Sequence, residues 1–347
     1  MGIFGVRIGI YLTICLPAFV WGQIGGQHVY DFLRYPASAR IGTLGGVNIS
    51  TLDADPSMIF NNPASSNPRS HKQLGFTFSN QLADIRYGST AYSQNVRSAG
   101  NFHAGVQFAN YGNFRGADEL NYPTGNFQAA NYVFTAGFSR LFDKVRIGGS
   151  FNLITSYIST AHSTGLSLDM GALYADSLHR RNIGVTLRNF GGQINSYSDS
   201  DLKEKIPFEI QAGVTQGLEH LPLKLSLTFV HLNRFMQLLY VDPNAPIEYD
   251  LSGQEIPQKK RTFDKFARHL VIGAEFNFGK YVFFRTGYSH QRRQELKTLD
   301  HGGLAGFGVG GGIRISRLSF DYGFNNYHKA SGVHQFSLSI SLSPKSR

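Results

Sequence analysis

The sequence contains little charge, a single cysteine and no long apolar run beyond its first residues. Lys, Arg, Asp and Glu make up 16% of the 347 residues, whereas about a quarter of an average soluble domain is charged. The cysteine, Cys15, lies near the start, so the chain forms no internal disulfide. After residue 22, no apolar run approaches the roughly 20 residues that a membrane-spanning helix requires. These absences exclude a disulfide-stabilised secreted fold and a bundle of membrane helices.

The first 22 residues predict a secretory signal peptide. Arg7 is their only charged side chain, residues 8–20 are largely apolar, and residues 20–22 offer an imperfect cleavage region. The apolar run is short for a spanning helix, and a lipoprotein cut at Cys15 fits poorly because the run continues beyond that residue. We therefore expect an exported protein whose mature chain contains neither the cysteine nor the only tryptophan, Trp21.

Glycine and aromatic residues are abundant, and from Gln73 onward apolar and polar residues alternate. The composition includes 39 Gly, 28 Phe and 17 Tyr, and aromatic-rich alternating segments are typical of β-strands. One predicted strand shows the pattern clearly: Leu223, Lys224, Leu225, Ser226, Leu227, Thr228 and Phe229. Across the chain, the polar positions carry mainly Ser, Thr, Gly, Asn and Gln rather than Lys and Glu, as expected for a face that lines a packed or wet lumen.

This pattern predicts an all-β fold, a transmembrane antiparallel β-barrel of about 14 strands that spans residues 73–347. The expected strands are 73–80, 84–94, 99–111, 131–142, 145–158, 164–175, 180–190, 207–217, 222–233, 268–279, 281–290, 304–315, 317–326 and 333–343. Most of them have about the length with which a tilted strand crosses the hydrocarbon of a bilayer.

The connections between these strands alternate in length. Those at one end are short, whereas all of the long ones lie at the other end: 112–130, 191–206, 234–267 and 291–303. Barrels in the outer membrane of Gram-negative bacteria have short periplasmic turns and long extracellular loops. We therefore expect an outer-membrane location, with the long loops facing the cell exterior and the C-terminus facing the periplasm.

Residues 23–72 precede the first strand and are expected to fill the lumen as an N-terminal plug, or hatch. A barrel of fourteen strands is wider than the eight-stranded barrels whose own side chains fill the interior. The segment lacks strand alternation but contains several apolar residues: Phe32, Leu33, Leu44, Leu52, Met58, Ile59 and Phe60. A disordered leader is the alternative, and this apolar content opposes it.

No motif in the sequence predicts catalysis, a metal or a cofactor. The string Gly306-Phe-Gly308-Val-Gly-Gly311 matches the dinucleotide fingerprint, but it lies within a predicted strand and no helix follows it. Alternating glycines there allow the strand to bend or the hatch to approach the wall. The twelve histidines lack the spacing of a helical metal site, and an exported barrel is not expected to bind nucleic acid.

Asp53, Asp55 and Asp84 lie fairly near one another in sequence, but nothing fixes a reactive geometry for them. Acidic residues in a barrel lumen are expected to pair with Arg or Lys there, because an unpaired buried charge is costly. We expect that the protein is not an enzyme. A barrel hydrolase is the alternative that this reasoning leaves open, since catalytic residues need not be neighbours in sequence.

Two of the long loops contain candidate binding residues. In 234–267, apolar side chains on a long loop indicate a docking surface for a partner: Phe235, Met236, Leu238, Leu239 and Tyr240. Basic residues in or beside two loops form a candidate patch for anionic lipopolysaccharide or an acidic partner: Lys259, Lys260, Arg261, Lys265, Arg268, Arg292 and Arg293. A solvated loop is the alternative for the patch, and an extended hairpin is the alternative for the apolar stretch.

Several short segments together resemble a known family. They are the runs 35–40, 44–46 and 53–55, the element Asn62-Pro63-Ala64, and the runs 83–88 and 206–213. In order and spacing they are similar to the PorQ group of type IX secretion, which is related to PorV within the FadL-like barrel superfamily. The resemblance covers essentially the whole mature chain. It implies a fourteen-strand barrel whose N-terminal hatch contains Asn62, Pro63 and Ala64.

The resemblance also implies a function without catalytic residues. Proteins of this group belong to a cell-surface attachment complex with PorU, PorV and PorZ, which processes cargo proteins and joins them to anionic lipopolysaccharide. The implied role is to anchor a PorZ-like surface protein, and a FadL-like transporter of hydrophobic small molecules is the alternative. Many barrels end in an aromatic insertion signal, whereas residues 342–347 contain no aromatic and the nearest one is Phe336.

Overall fold

In the computed structural model, fourteen antiparallel strands close into a single barrel. The described residues are 28–81, 85–197, 203–235, 238, 262–296, 304–328 and 331–343. Each strand pairs with its neighbours along the chain, and β1 pairs with β14 to close the barrel. The strands are β1 (Gln73–Asn80), β2 (Arg86–Val96), β3 (Gly100–Ala117), β4 (Pro123–Phe142), β5 (Val145–Ile158), β6 (Ala161–Asp176), β7 (Arg181–Asn195), β8 (Glu209–Gly217), β9 (Leu223–Phe229), β10 (Leu270–Phe278), β11 (Val282–Ser289), β12 (Phe307–Ile315), β13 (Leu318–His328) and β14 (Ser331–Ser341).

The described helices are short. The α-helices are α1 (Ala39–Thr43), α2 (Thr262–Ala267) and α3 (His290–Leu296). Turns of 3₁₀ helix lie at Asp31–Arg34, Pro56–Phe60, Pro63–Ser65, Pro68–Ser70 and Leu232–Arg234. Within the described residues, no helix has the length and apolar character needed to cross a membrane.

Successive side chains along each strand point to opposite faces of the wall. Outward positions carry large apolar side chains that are about half exposed, such as Phe134 (49%) and Ile147 (51%). Inward positions carry small or polar side chains that are buried, such as Thr135, Ser150 and Gln211. An apolar outer face and a polar inner face are what a bilayer and a filled lumen require. The prediction of a barrel of about fourteen strands is confirmed.

The two ends of the barrel differ in the length of their connections. At one end, called the turn end here, the connections are 97–99, 143–144, 177–180, 218–222, 279–281 and 316–317. At the opposite end, called the loop end, the longest connections are 196–208, 230–269 and 290–306. All of the long connections therefore lie at the loop end, together with short ones such as 159–160. Functional contacts with other molecules have most room at this end.

The predicted loop 112–130 is wrong, because most of it is strand. β3 continues to Ala117 and β4 begins at Pro123, and the two strands stay paired to the tip. A bulge between Asn110 and Asn113 shifts the register by one residue. Such a shift interrupts the period-2 alternation on which a strand prediction from sequence depends.

The other predicted loops differ from the structure near their ends. The prediction 191–206 begins too early, since β7 continues to residue 195. In the connections that contain 234–267 and 291–303, the short helices α2 and α3 lie beside the barrel mouth and lead into β10 and out of β11.

Candidate functional site

The described hatch residues, 28–72, lie inside the barrel and pack against its inner wall. α1 contacts β11, β12, β13 and β14, the turn Pro56–Phe60 contacts β1 and β2, and the turn Pro63–Ser65 contacts β4, β5 and β6. The hatch therefore reaches most of the circumference. Polar groups of the two parts also meet directly, as between Ser50 Oγ and Thr215 Oγ1 (2.7 Å).

The local sequence explains why the hatch forms short turns rather than strands. Three 3₁₀ turns begin at an Asp or Asn cap that is followed directly by proline: Asp55-Pro56, Asn62-Pro63 and Asn67-Pro68. Each cap side chain accepts a hydrogen bond from the backbone N–H two residues later. Proline is favoured at the first helical position and lacks the N–H that a strand ladder needs, so these segments favour turns.

The motif Asn62-Pro63-Ala64 forms contacts within the hatch and with the wall. Asn62 Nδ2 donates to the carbonyl oxygen of Ile49 (2.7 Å), and Asn62 Oδ1 accepts from the backbone N–H of Ala64 (2.9 Å). The wall residues opposite are glycines: a Cβ at Gly148 would lie 2.6 Å from Ala64 N, and a Cβ at Gly171 would lie 2.0 Å from Asn62 Oδ1. In this structure the motif is a buried contact between hatch and wall.

Glycines in β11 and β12 allow α1 to approach the wall closely. A Cβ at Gly287 would lie 2.3 Å from the backbone N of Gly45 and 2.6 Å from the backbone O of Thr43. A Cβ at Gly308 would lie 2.8 Å from the backbone O of Gly42. The close approach of two backbones requires glycine at these positions. The string that matches a nucleotide motif thus lies against the hatch.

Gly287→Ala is expected to lower the free energy of unfolding by about 1–3 kcal/mol, because the added methyl group overlaps the hatch backbone. Urea unfolding of the barrel in detergent, followed by the loss of heat-modifiable migration on a gel, measures the change. Gly192→Ala is the matched control, since a Cβ at Gly192 meets no atom of the described residues within 4 Å. Equal unfolding midpoints for the two variants would contradict the close packing of hatch and wall.

A buried network of charged side chains, called the Arg40 cluster here, joins the hatch to the wall. Arg40 on α1 contacts three carboxylates. Its Nη1 lies 2.6 Å from Asp53 Oδ2 and 3.5 Å from Asp55 Oδ2, and its Nη2 lies 2.9 Å from Glu275 Oε2 on β10. The Arg40 side chain is 6% exposed. Because two of these carboxylates belong to the hatch and one to the wall, a single guanidinium binds both parts.

The wall completes the Arg40 cluster with two more cations and one more carboxylate. Arg285 Nε on β11 lies 2.7 Å from Glu275 Oε2, and Arg285 also binds Asp321 on β13. Lys224 Nζ on β9 lies 3.5 Å from Glu275 Oε1. Buried charges are tolerated when they are paired and hydrogen-bonded in this way. The cluster is therefore suited to holding two parts of the chain together.

Sequence reasoning identified only part of the Arg40 cluster. Asp53 and Asp55 pair with an arginine, as expected for carboxylates in the lumen, whereas Asp84 lies outside the described residues. Glu275 and Arg285 were missed, although each is a charged residue at an inward position of a strand, and that is the signal that could have found them. Among the described residues, no three His, Cys, Asp or Glu side chains are placed to hold a metal ion.

Apolar side chains fill the lumen near the loop end. The hatch contributes Val29, Tyr30, Phe32 and Leu33, and the wall and its connections contribute Tyr87, Ala109, Val133, Ile154 and Ile206. Burial of these side chains stabilises the position of the hatch start through the hydrophobic effect. Tyr30 also forms a hydrogen bond with Ser163 through its hydroxyl group (2.5 Å).

The first described residue of the hatch lies among cations at the loop end. His28 pairs with Lys205 in an isolated parallel bridge, and its Nε2 accepts a hydrogen bond from Nη2 of Arg234 (2.7 Å). Burial, together with the positive charges of Arg34, Arg234 and Lys205, lowers the pKa of His28 to about 4. The ring is therefore neutral at pH 7, which allows it to accept from a guanidinium.

A second polar cluster connects α2 with α3. Asp264 accepts hydrogen bonds from Nε of Arg268 (2.7 Å) and from Nε2 of His290 (3.0 Å). Burial alone would raise the pKa of Asp264, but the hydrogen bonds from His290 and Arg268 outweigh burial and lower that pKa. Arg268 is 6% exposed, so this member of the predicted basic patch is a buried ion-pair partner.

The structure describes part of the predicted loop residues. Phe235 is 45% exposed, and its ring stacks on that of His269 with centroids 4.9 Å apart. Leu238 is half-buried, as are the patch residues Lys265, Arg292 and Arg293 on α2 and α3. The remaining predicted residues lie outside the described part of the chain: Met236, Leu239, Tyr240, Lys259, Lys260 and Arg261.

β3 and β4 continue beyond their neighbours as a projecting hairpin, residues 111–128. β2 pairs with β3 only as far as Asn110, and β5 pairs with β4 only from Ala129 onward. Beyond these points, the outer edges of the hairpin pair with no described strand. An isolated two-stranded hairpin is marginally stable in water, and an unpaired strand edge is a place where another chain can add a strand.

In the projecting hairpin, the apolar and polar faces are exchanged relative to the wall below it. Phe114 and Phe127 pair across the hairpin and stack with ring centroids 5.2 Å apart, on the face that continues the lumen side. The opposite face is polar, and Gln128 Nε2 there donates to Asn113 Oδ1 (2.9 Å). Since the aromatic face turns away from the lipid side, it is a candidate docking surface for a protein.

Comparison with known proteins supports the fold. No model of a protein family matches the sequence, and no curated protein matches it. A FadL homologue from Pseudomonas aeruginosa matches 88% of this chain and 98% of its own, with a TM-score of 0.50 and 12% identity. A mutant of the monoaromatic hydrocarbon channel TodX matches the same shares, with a TM-score of 0.52 and 11% identity. The chain therefore has the fold of the FadL-like outer-membrane barrels.

Proposed function

We propose that this protein is a non-enzymatic anchor in the outer membrane, which holds a surface protein at its loop end and passes no substrate through its lumen. The observation that carries the proposal is the way the hatch is built in. The hatch contacts most of the strands around the lumen, and the Arg40 cluster joins both parts. Displacing it would separate buried ion pairs, and an uncompensated buried charge is costly.

The polarity of the lumen also supports an anchor. Sites for small hydrophobic molecules are lined mainly by apolar and aromatic side chains. Here, buried polar side chains occupy inward positions on strands around the barrel, for example Ser93, Gln107, Asn152, Thr186 and Gln335. A hydrophobic molecule on its way through the lumen would have to contact these groups without satisfying their hydrogen bonds.

The resemblance to the PorQ group of type IX secretion supplies the setting of the proposal. The anchored protein is PorZ-like, and the barrel acts with PorU and PorV in the complex that processes cargo and attaches it to anionic lipopolysaccharide. The loop end faces the cell exterior and the turn end faces the periplasm. The proposed partner contacts are the projecting hairpin and the loop that begins at Phe235. The proposed lipopolysaccharide contacts are the members of the basic patch other than the buried Arg268: Lys259, Lys260, Arg261, Lys265, Arg292 and Arg293.

Transport of hydrophobic small molecules is the second candidate, and the likeness to solved structures favours it over the anchor. One of the similar structures is a hydrocarbon channel and another is a FadL homologue. A shared fold does not by itself transfer a function. Transport would also need a movable hatch or an opening in the wall. β12 is the glycine-rich strand that could bend to form one, but its Gly308 packs against the hatch.

Affinity purification and uptake assays together separate the two functions. We expect the tagged barrel to recover a PorZ-like surface protein from detergent extracts, and a deletion strain to take up labelled fatty acid and toluene at the wild-type rate. Replacing residues 236–261 with a Gly/Ser linker of equal length is expected to reduce the recovered partner at least about tenfold, because four of the five predicted apolar docking residues are then removed: Met236, Leu238, Leu239 and Tyr240.

A matched change at the opposite end provides the control for the linker variant. Glu219, His220 and Leu221 lie in a turn-end connection, and replacing them with Gly and Ser should leave partner recovery unchanged. Heat-modifiable migration shows that each variant is folded. A barrel that recovers no surface protein, combined with reduced uptake in the deletion strain, would establish transport in place of anchoring.

A further inference from the structure

The turn end of the barrel carries more exposed cations than carboxylates. Apart from cations that point into the lumen, eight Lys and Arg residues lie in the turn-end connections, within three residues of them, or directly before β1. We call them the collar: Lys72, Arg97, Arg140, Lys144, Arg180, Arg181, Lys280 and Arg317. The carboxylates at the same level are Asp143, Asp176 and Glu219. All collar residues except Lys72, which is half-buried, are exposed.

The collar cations are not neutralised within the described part of the chain. The described ion pairs at this end are that of His179 with Asp176 and those of the Arg40 cluster, and none of them involves a collar residue. Arg180 donates to the carbonyl oxygen of Leu218, which leaves its charge in place. An exposed group of like charges attracts counter-charges from its surroundings.

The collar runs around nearly the whole circumference. Five of the six turn-end connections contribute at least one of its residues, and Lys72 contributes one beside the pair β1 and β14. The exception is the connection 218–222. A soluble protein would contact one side of the barrel end. A charge that recurs around the circumference instead fits a partner that surrounds the barrel, which is a lipid leaflet.

The collar also lies at the depth expected for lipid headgroups, because its residues follow directly after the outward apolar band. Phe142 is 55% exposed two residues before Lys144, and Leu318 is 48% exposed next to Arg317. The guanidinium of Arg140 lies 5.8 Å from the ring centroid of Phe142. Long basic side chains at such positions keep their apolar stems against the wall and extend their charges to the interface.

We propose that the collar binds the anionic headgroups of phospholipids in the leaflet around the turn end. Guanidinium and ammonium groups bind phosphate oxygens through charge-assisted hydrogen bonds, and Lys and Arg near a membrane surface attract anionic lipid. Such binding fixes the depth of the barrel in the bilayer. This lipid binding does not depend on which protein the loop end holds or on whether a molecule passes through the lumen.

Native mass spectrometry of barrels released from nanodiscs tests the proposal. The nanodiscs contain equal amounts of phosphatidylglycerol and phosphatidylcholine with the same acyl chains. We expect the wild-type barrel to retain phosphatidylglycerol in at least about fivefold excess, and this excess to decrease when the salt concentration is raised before release. In a variant with Arg97→Gln, Lys144→Gln, Lys280→Gln and Arg317→Gln, the two lipids should be retained about equally.

A variant that loses the same number of charges at the loop end is the control. It contains Arg34→Gln, Arg86→Gln, Arg115→Gln and Lys203→Gln, and it should keep the wild-type preference for phosphatidylglycerol. Equal retention of both lipids by the wild-type barrel would overturn the proposal and leave an acidic soluble partner as the occupant of the collar. Loss of the preference in the control variant would overturn it as well, since net charge alone would then explain the binding.

Discussion

Arg40→Met is expected to lower the free energy of unfolding by about 3–5 kcal/mol, because it leaves buried carboxylates without their cation. Within the described residues, Arg40 is the only ion-pair partner of Asp53 and Asp55, whereas Glu275 keeps its pair with Arg285. Methionine preserves the length of the aliphatic stem, so the substitution removes the charge more than the packing. Urea unfolding in detergent, with heat-modifiable migration as the readout, measures the loss.

The same variant is expected to expose the hatch before the barrel unfolds. The barrel wall keeps its backbone ladder, whereas α1 loses its strongest tie to β10. Local segments with few remaining contacts open at lower free energy than the whole structure. Proteinase K should therefore cut near residue 40 in the folded variant and leave that site intact in the wild-type barrel, as mass spectrometry of the fragments would show.

Arg34→Met is the matched control for Arg40→Met. Arg34 lies in the same hatch, but its ion pair with Asp31 is long (3.6 Å) and half-exposed, and such pairs contribute between 0 and about 1 kcal/mol. Asp53→Asn combined with Asp55→Asn should restore part of the stability lost in Arg40→Met, since the coupled residues are not additive. An unchanged unfolding midpoint in Arg40→Met would show that the cluster does not hold the hatch.

The barrel itself was predictable from sequence because its determinants are local. Alternation with period 2 marks each strand, and the strand count follows from the turns that separate them. Residues 28–72 lie inside the barrel, and the physical reason is that a wide barrel needs a filling. The Asp-Pro and Asn-Pro pairs that begin the hatch turns could have predicted their starts, because capping depends only on neighbours in sequence.

The Arg40 cluster was not predictable, because it depends on which strands the hatch faces. Arg40 and Asp321 are far apart in the chain, and their connection through Glu275 and Arg285 requires the closed barrel and the direction of α1. Sequence alternation predicts that these residues face the lumen. It does not show which of them lie next to one another around the barrel. The projecting hairpin was missed for a different reason, since the bulge in β3 moves Phe114 onto the lumen side, where it meets Phe127 of β4.

The projecting hairpin leads to the second large effect expected for this protein. Phe114→Ser together with Phe127→Ser should weaken the binding of a PorZ-like surface protein by about 30-fold or more, because a stacked aromatic pair at the centre of an interface is expected to contribute about 2 kcal/mol or more. Phe114 is 41% exposed in the isolated barrel, so a partner has apolar area to bury there. Titration of the purified surface protein onto the barrel in nanodiscs measures the affinity.

Asn113→Ser together with Gln128→Ser tests the opposite face of the same hairpin. These residues form an exposed hydrogen bond, and their loss is expected to change the affinity less than about threefold. The two variants share the hairpin backbone, so a difference between them assigns binding to the aromatic face. If both double variants bind the surface protein as tightly as the wild-type barrel does, the hairpin is excluded as the contact. The loop after Phe235 would then be the contact. If the wild-type barrel binds no surface protein, the anchor itself fails, and the aromatic pair needs another explanation.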